Sequence, residues 1–272
     1  MTHSGADIST LLDAHGLRPS RALGQNFVAD PNTVRRIARL ADIGPGSKVL
    51  EIGAGLGSLT LALAETGASI VAVELDRYLL PVLRSVVEPV GVEVVDADAM
   101  TLDTSGLLAE HGGGSWSLVA NLPYNLATPL VLRTLTEVPA IERLLVMVQR
   151  EVGERMAAQV GDPAYGSVSV RVAYFARATL AGKVPAAVFI PRPRVESVLV
   201  RMERRAEVAV DPSEVSYERL AAVVKAGFGQ RRKMLRRSVA GVVEPEAFAR
   251  AGIRPEARAE ELSVEDWGRL AR

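Results

Sequence analysis

Short apolar runs alternate with longer mixed runs from about residue 47 onward. "KVLEIG" (48–53) reads as a buried strand, and after a cluster of glycines "SLTLALAET" carries helical spacing. "SIVAVEL" (69–75) predicts a second strand, with Asp76 placed to cap the helix that follows. "VEVVDAD" (92–98), "SLVANL" (117–122) and "RLLVMVQ" (143–149) repeat the theme. Strands separated by helical segments pair in parallel through crossovers, so the pattern predicts a doubly wound α/β sheet. Two later stretches, near 177–184 and 197–202, predict an antiparallel extension of it. Upstream, Asp30-Pro31 is a cap followed by proline at the first helical position, opening "NTVRRIARLADI". After "RRAEVAVDPSE" the strand signal stops and short helical segments run to the C-terminus. The expected division is a larger domain over 1–205 and a small helical domain over 206–272.

Composition narrows the chemistry. With 272 residues, 48% of them hydrophobic, the chain can bury a full core. It has no cysteine, which excludes disulfides, thiolate metal sites and a cysteine nucleophile. Its three histidines, His3 and His15 among them, argue against a zinc or Ser-His-Asp site, and no metal is expected. No apolar run is long enough to span a bilayer and no basic-then-apolar leader opens the chain, so a soluble, cytoplasmic protein is expected. A formal net charge of zero argues against a protein that coats nucleic acid indiscriminately.

The glycines Gly53, Gly55 and Gly57 lie between the first strand and its helix, where a sharp turn lets backbone approach a ligand. A tight strand–helix turn alone would use the same residues. Glu74 ends the next strand and is placed to accept both ribose hydroxyls of an adenosine-containing ligand. Asp98, at the end of the third strand, is placed for an adenine amino group. Either acid alone serves equally as a helix cap; together they favour an adenosine cofactor. NAD and S-adenosylmethionine both satisfy these features, although the GxGxxG form expected for a pyrophosphate is missing.

Asn121-Leu122-Pro123-Tyr124, at the end of the fourth strand, decides between them. The exocyclic amine of adenine is a poor nucleophile because its lone pair is conjugated with the ring. Acceptors that take both N–H bonds leave that lone pair aimed at a methyl donor. The Asn121 side-chain oxygen and the Leu122 carbonyl are the candidate acceptors, Pro123 fixes the turn and Tyr124 is placed to stack on the base. In isolation, Asn-x-Pro is an ordinary strand-ending turn.

These features sit within a longer set: "LGQNFVAD" (23–30), "EIGAGLGSLT" (51–60), "VELDR" (73–77), "NLPYN" (121–125), "QREVGERM" (149–156), "AYGSVSV" (164–170), "FIPRPRVESVLV" (189–200) and "FGQRRKMLRRS" (228–238). In their order the chain resembles the bacterial small-subunit ribosomal RNA adenine N6,N6-dimethyltransferases over roughly residues 20–266. The resemblance implies a Rossmann-like, S-adenosylmethionine-dependent methyltransferase domain and a C-terminal helical RNA-binding domain. It implies that Asn26 and Val28 contact the cofactor and that Gly53 lies beside its methionine part. It also implies that Asn121 borders both cofactor and target, and that Phe189 faces Tyr124 across a flipped base. The substrate it implies is a pair of adjacent adenosines in the 3′-terminal hairpin loop of small-subunit ribosomal RNA, within an immature subunit. The chain departs from the family pattern at Ala54, Val28, Arg192 and Arg237, none of which removes a chemical group from the site.

"KAGFGQRRKMLRR" (225–237) holds six basic residues and no acid. Read as a helix, it stacks Arg232 near Arg236 and Lys233 near Arg237, with Met234, Leu235 and Val239 packing inward. Lys225, Arg231, Arg232, Lys233, Arg236 and Arg237 are the candidate phosphate contacts, against the plainer reading of a solvated face. A monomer is expected. The rival readings are a large-subunit resistance dimethyltransferase and a non-catalytic ribosome-assembly factor, with a nicotinamide dehydrogenase more distant.

Overall fold

The computed structural model describes residues 2–20, 22–230 and 233–272. Helix α1 (Gly5–Ala14) opens the chain, its first turn closed by a reciprocal Ser4–Asp7 capping box. After the two-residue strand β1 (Phe27–Val28) comes α2 (Pro31–Leu40), where Asp30 caps and Pro31 takes the first position, as the sequence predicts. The alternating region follows as β2 (Lys48–Ile52), α3 (Ser58–Ala64), β3 (Ser69–Glu74) and α4 (Leu80–Val87). It continues through β4 (Glu93–Asp96), α5 (Thr104–Glu110), β5 (Trp116–Asn121), α6 (Ala127–Glu137) and β6 (Ile141–Gln149). Beyond it lie α7 (Arg150–Ala157), α8 (Ser167–Phe175), β7 (Ala176–Val184), β8 (Phe189–Ile190) and β9 (Ser197–Arg204). The C-terminal helices are α9 (Tyr217–Gly229), α10 (Leu235–Ser238), α11 (Pro245–Ala251) and α12 (Val264–Ala271).

Seven strands form one sheet in the order β4-β3-β2-β5-β6-β9-β7. The pairs β4–β3, β3–β2, β2–β5 and β5–β6 are parallel. Helices cover both faces of such a sheet, which is why its strands are nearly continuous apolar runs. Val49, Leu50, Leu118, Val146 and Val148 are all fully buried. β7 and β9 extend the sheet past β6, where the two later stretches were expected.

The chain folds as two compact units, Met1–Gly153 with Leu180–Met202 and Glu154–Thr179 with Glu203–Arg272. This differs from the single cut near 206. Segment 154–179 groups with the C-terminal helices because α8 packs on α9 and α12. The second unit centres on Trp267, fully buried, with Phe228 5.7 Å away and Tyr165 against Phe228 at 6.1 Å. The Tyr165 hydroxyl donates to the Leu262 carbonyl at 2.8 Å.

Three local expectations change. Asp76 does not cap α4, which starts at Leu80; its carboxylate instead accepts the Tyr78 N–H at 2.9 Å, closing a turn. β4 ends at Asp96, so Asp98 stands two residues past the strand. The basic segment is not one helix: α9 ends at Gly229 amid two glycines, and Gln230 takes a non-helical conformation. The next helix, α10, begins at Leu235. Lys233 therefore does not share one helix with Arg237, while Arg232 of the other expected pair lies outside the described residues; Met234 is 42% exposed, and Leu235 and Val239 are buried.

Candidate active site

Strand β2 lies mid-sheet with β3 on one side and β5 on the other, so the chain changes direction across the sheet at this point. In open α/β sheets such a switch leaves a crevice at the carboxyl ends of the strands, and ligands bind there. The crevice here encloses about 1090 Å³, part of it open to solvent. The turns after β2, β3, β4 and β5 form its floor and sides, and the strap 22–28 completes it. Gly53, Gly55, Glu74, Asp98, Asn121, Leu122, Pro123, Tyr124, Asn26 and Val28 all line it.

The glycine turn is shaped for close approach. Gly55 has φ +60°, and a Cβ there would sit 3.0 Å from the Phe27 ring. Any side chain would be strained by the backbone and pressed against the strap. Glu74, 7% exposed, binds this turn directly: one carboxylate oxygen accepts the Gly55 N–H at 2.8 Å, and the other accepts the N–H groups of Leu75 and Asp76 at 3.0 and 2.9 Å. Burial raises its pKa, while these three backbone bonds oppose the rise.

Glu51 is a site residue that the sequence reading passed over. It sits mid-strand in β2, 1% exposed, and lines the cleft. Its Oε2 and the Thr60 hydroxyl oxygen are both buried without a hydrogen-bond partner among the described residues. Burial pushes its carboxyl up to about 8; the neighbouring Thr60 hydroxyl opposes the rise and the Glu74 carboxylate adds to it. The signal was present in "KVLEIG": an acid inside an otherwise apolar buried strand.

At the end of β5 the Asn121 amide is oriented by the strap, its Nδ2 donating to the Asn26 carbonyl at 3.0 Å. That leaves Asn121 Oδ1 without a partner among the described residues. The Leu122 N–H donates to Met147 at 3.1 Å and the Pro123 carbonyl accepts from Leu126 at 3.0 Å, but no described residue donates to the Leu122 carbonyl. Two oxygen acceptors are thus presented side by side in sequence at the cleft. Asp98 accepts the Met100 N–H at 2.8 Å through one oxygen. The Asn26 side chain is turned to the Gly24 carbonyl at 3.1 Å.

Tyr124 is half-buried, and its hydroxyl is hydrogen-bonded to Ser197 Oγ at 2.7 Å. Burial raises the phenol pKa, so it stays protonated. Phe189 does not line the cleft. It is 3% exposed and packs in the main core with Val28 and Leu199, while its backbone pairs with Val28 across β1–β8. An apolar ring beside an available core is driven inward. Gln25 ties down its own loop by accepting the Ser20 N–H at 2.7 Å. It also reaches Asp76, donating at 2.7 Å.

Of the candidate phosphate contacts, Lys225, Lys233, Arg236 and Arg237 are exposed in the second unit. Arg236 lies 3.6 Å from the Glu256 carboxylate. Arg231 and Arg232 lie outside the described residues. Among the described residues there is no cluster of acids and histidines that could hold a metal, and no helix is long and apolar enough to cross a membrane.

Comparison with known proteins adds an independent line. The chain is similar to the ribosomal RNA small subunit methyltransferase A of Kineococcus radiotolerans, 43% identical over 98% of this chain and 90% of the relative. It is 44% identical to the protein of the same name from Streptomyces griseus, over 98% and 93%. Among solved structures, 23S ribosomal RNA methyltransferase ErmE superposes with a TM-score of 0.71 at 27% identity, covering 90% of this chain and 98% of that one. A dimethyladenosine transferase from Plasmodium falciparum shares the fold, with a TM-score of 0.74 at 22% identity over 89% and 94%. The family model for ribosomal RNA adenine dimethylase matches residues 17–272, and this chain belongs to that family.

Proposed function

We propose that this protein dimethylates N6 of two adjacent adenosines in the 3′-terminal hairpin loop of small-subunit ribosomal RNA, using S-adenosylmethionine. The observation that carries the reading is a pair of acceptors without a partner among the described residues, Asn121 Oδ1 and the Leu122 carbonyl, beside a glycine turn backed by buried carboxyls. The near full-length similarity to small-subunit enzymes supports that RNA over the large-subunit alternative.

The cleft fits the donor. A side chain at Gly55 would fill the space against Phe27, so the turn keeps a cradle open, and Glu51 presents an orphaned buried oxygen in the same cleft. Glu74 and Asp98 would hold the ribose and adenine, with Asn26, Val28, Gly53 and Gly55 closing around the rest. Bound there, S-adenosylmethionine supplies an electrophilic methyl group. Asn121 Oδ1 and the Leu122 carbonyl take the two N–H bonds of the target amine and turn its lone pair toward that methyl. Pro123 fixes the carbonyl's direction and Tyr124 stacks on the base. Such positioning accounts for about 7–11 kcal/mol of a barrier in favourable cases. No general base is needed before attack, since the amine is already neutral. Phe189 completes the stack only if its ring leaves the core.

The base must come out of its helix or loop stack to reach the cleft. Lys225, Arg231, Arg232, Lys233, Arg236 and Arg237 would position the RNA through its phosphates. The protein acts as a cytoplasmic monomer on an immature small subunit. The test is methyl transfer from labelled S-adenosylmethionine to unmethylated small subunits and, separately, to large-subunit RNA, followed by nucleoside analysis. Dimethyladenosine from the small subunit alone is expected. Label confined to large-subunit RNA would move the protein to the resistance enzymes. Binding of cofactor and ribosome without transfer would favour an assembly factor.

A further inference from the structure

We infer that Ser197 is a positioning residue for methyl transfer, holding the Tyr124 ring at the angle from which it meets the target base. The inference rests on the proposed function and adds a residue that the site's own motif does not contain.

Ser197 opens β9 and is completely buried. Among the described residues its hydroxyl has one partner, the Tyr124 hydroxyl 2.7 Å away. A buried serine hydroxyl needs such a bond, and a half-buried tyrosine in a strand-ending turn needs something to stop its ring from swinging. One contact meets both needs. Each of the two torsions that aim the ring is free to rotate in such a loop residue, so a fixed hydroxyl sets where the ring face lies.

The anchor is itself held. The Arg150 N–H donates to the Glu196 carbonyl at 3.0 Å, and the Arg150 guanidinium reaches the Glu196 carboxylate at 3.2 Å. Directly after the anchor, Val198 packs against α7 where Gly153 has no side chain. A Cβ at Gly153 would fall 2.3 Å from Val198. The backbone on both sides of Ser197 is therefore fixed, one side by hydrogen bonds and the other by close packing. A flexible support would not define the ring; this one does.

The test uses the full chain with Ser197→Ala, Ser197→Thr, Tyr124→Phe and the double variant Ser197→Ala/Tyr124→Phe. Ser197→Ala is expected to lower kcat by about 10-fold, with donor affinity changed less than about twofold, because small displacements of a reacting pair are costly. Ser197→Thr, which keeps the hydroxyl, is expected to return kcat to within about threefold of the parent. Tyr124→Phe cuts the same bond from the other side, so its loss should match that of Ser197→Ala, and the double variant should be no worse than either. A second readout needs no turnover: the 13Cζ resonance of Tyr124 should move in Ser197→Ala and return in Ser197→Thr. Parental kcat in Ser197→Ala, losses that multiply in the double variant, or an unmoved Tyr124 resonance would each overturn the assignment. A parent protein that transfers no methyl group would instead overturn the function, and the resonance would still decide the role of Ser197.

Discussion

Glu51 illustrates how much a single side chain in this cleft departs from its ordinary chemistry. Its carboxyl has lost water and gained no hydrogen bond at Oε2, so the charged form is penalised and the proton is retained to about pH 8. The unfolded chain gives up that proton near its ordinary value of 4.5. Between the two values the unfolded state sheds the proton and the folded state keeps it, so each step up in pH favours unfolding. The contribution of Glu51 to stability is greatest in acid and is lost as pH rises toward 8. A tenfold change in an ionisation constant corresponds to about 1.4 kcal/mol, so the full effect is on the order of a few kcal/mol. Glu51→Gln removes the ionisation, and its melting temperature relative to the parent should rise steadily from pH 5 to pH 8. A constant offset over that range, measured by calorimetry, would mean that Glu51 ionises normally. The places of Glu74, Asp98 and Asn121 in the cleft were legible because each stands at or just past a strand end, where polar groups in an apolar run are conspicuous. Ser197 lies within the stretch "FIPRPRVESVLV", but its link to Tyr124 was not legible, since the two residues stand 73 positions apart and meet only in the fold.

At the level of elements, the strap 22–28 joins features that look separate in the chain. Gln25 ties it to Asp76 in the turn after β3, the Asn26 carbonyl orients Asn121, and β1 pairs with β8. Behind it, Ile8 and Leu12 of α1 pack with Phe27, Leu56 and Leu79. The Ala29 N–H donates to the Val188 carbonyl at 2.7 Å, so the strap that lines the cleft is continuous by hydrogen bonds with the segment that carries Phe189. Gln25→Ala removes the bond to Asp76 and the bond to Ser20 together. It should weaken S-adenosylmethionine binding by about 3- to 10-fold, in line with one or two modest hydrogen bonds, while the melting temperature stays close to the parent's. Titration calorimetry with unchanged affinity would remove the strap from the donor site. The strands of the sheet were readable from apolar runs, whereas these couplings depend on residues far apart in sequence, such as Asn26 and Asn121. The basic segment failed as a continuous helix for a local reason. Met234, Leu235 and Val239 suited an inward helix face despite the like-charged pairs, but Gly227 and Gly229 lie where α9 ends.

The molecule as a whole combines a doubly wound sheet whose switch point makes the cleft with a helical unit that carries exposed cations. Alternation of apolar and amphipathic runs was enough to predict the sheet, because parallel strands buried on both faces leave a strong signature. The division into units was harder to read. Segment 154–179 joins the C-terminal helices through packing that no composition shift announces. The central claim is that the end of β5 presents an adenine amine to a methyl donor through Asn121 and Leu122. The most direct measurement is single-turnover methyl transfer to unmethylated small subunits by Asn121→Ala, with donor binding and thermal stability recorded on the same preparation. The expected result is a rate at least about 100-fold below the parent, with the fold intact and donor affinity changed by only a few-fold, as for loss of a positioning contact. Transfer at close to the parental rate would contradict the account, because the acceptor on which the geometry depends would be gone without consequence.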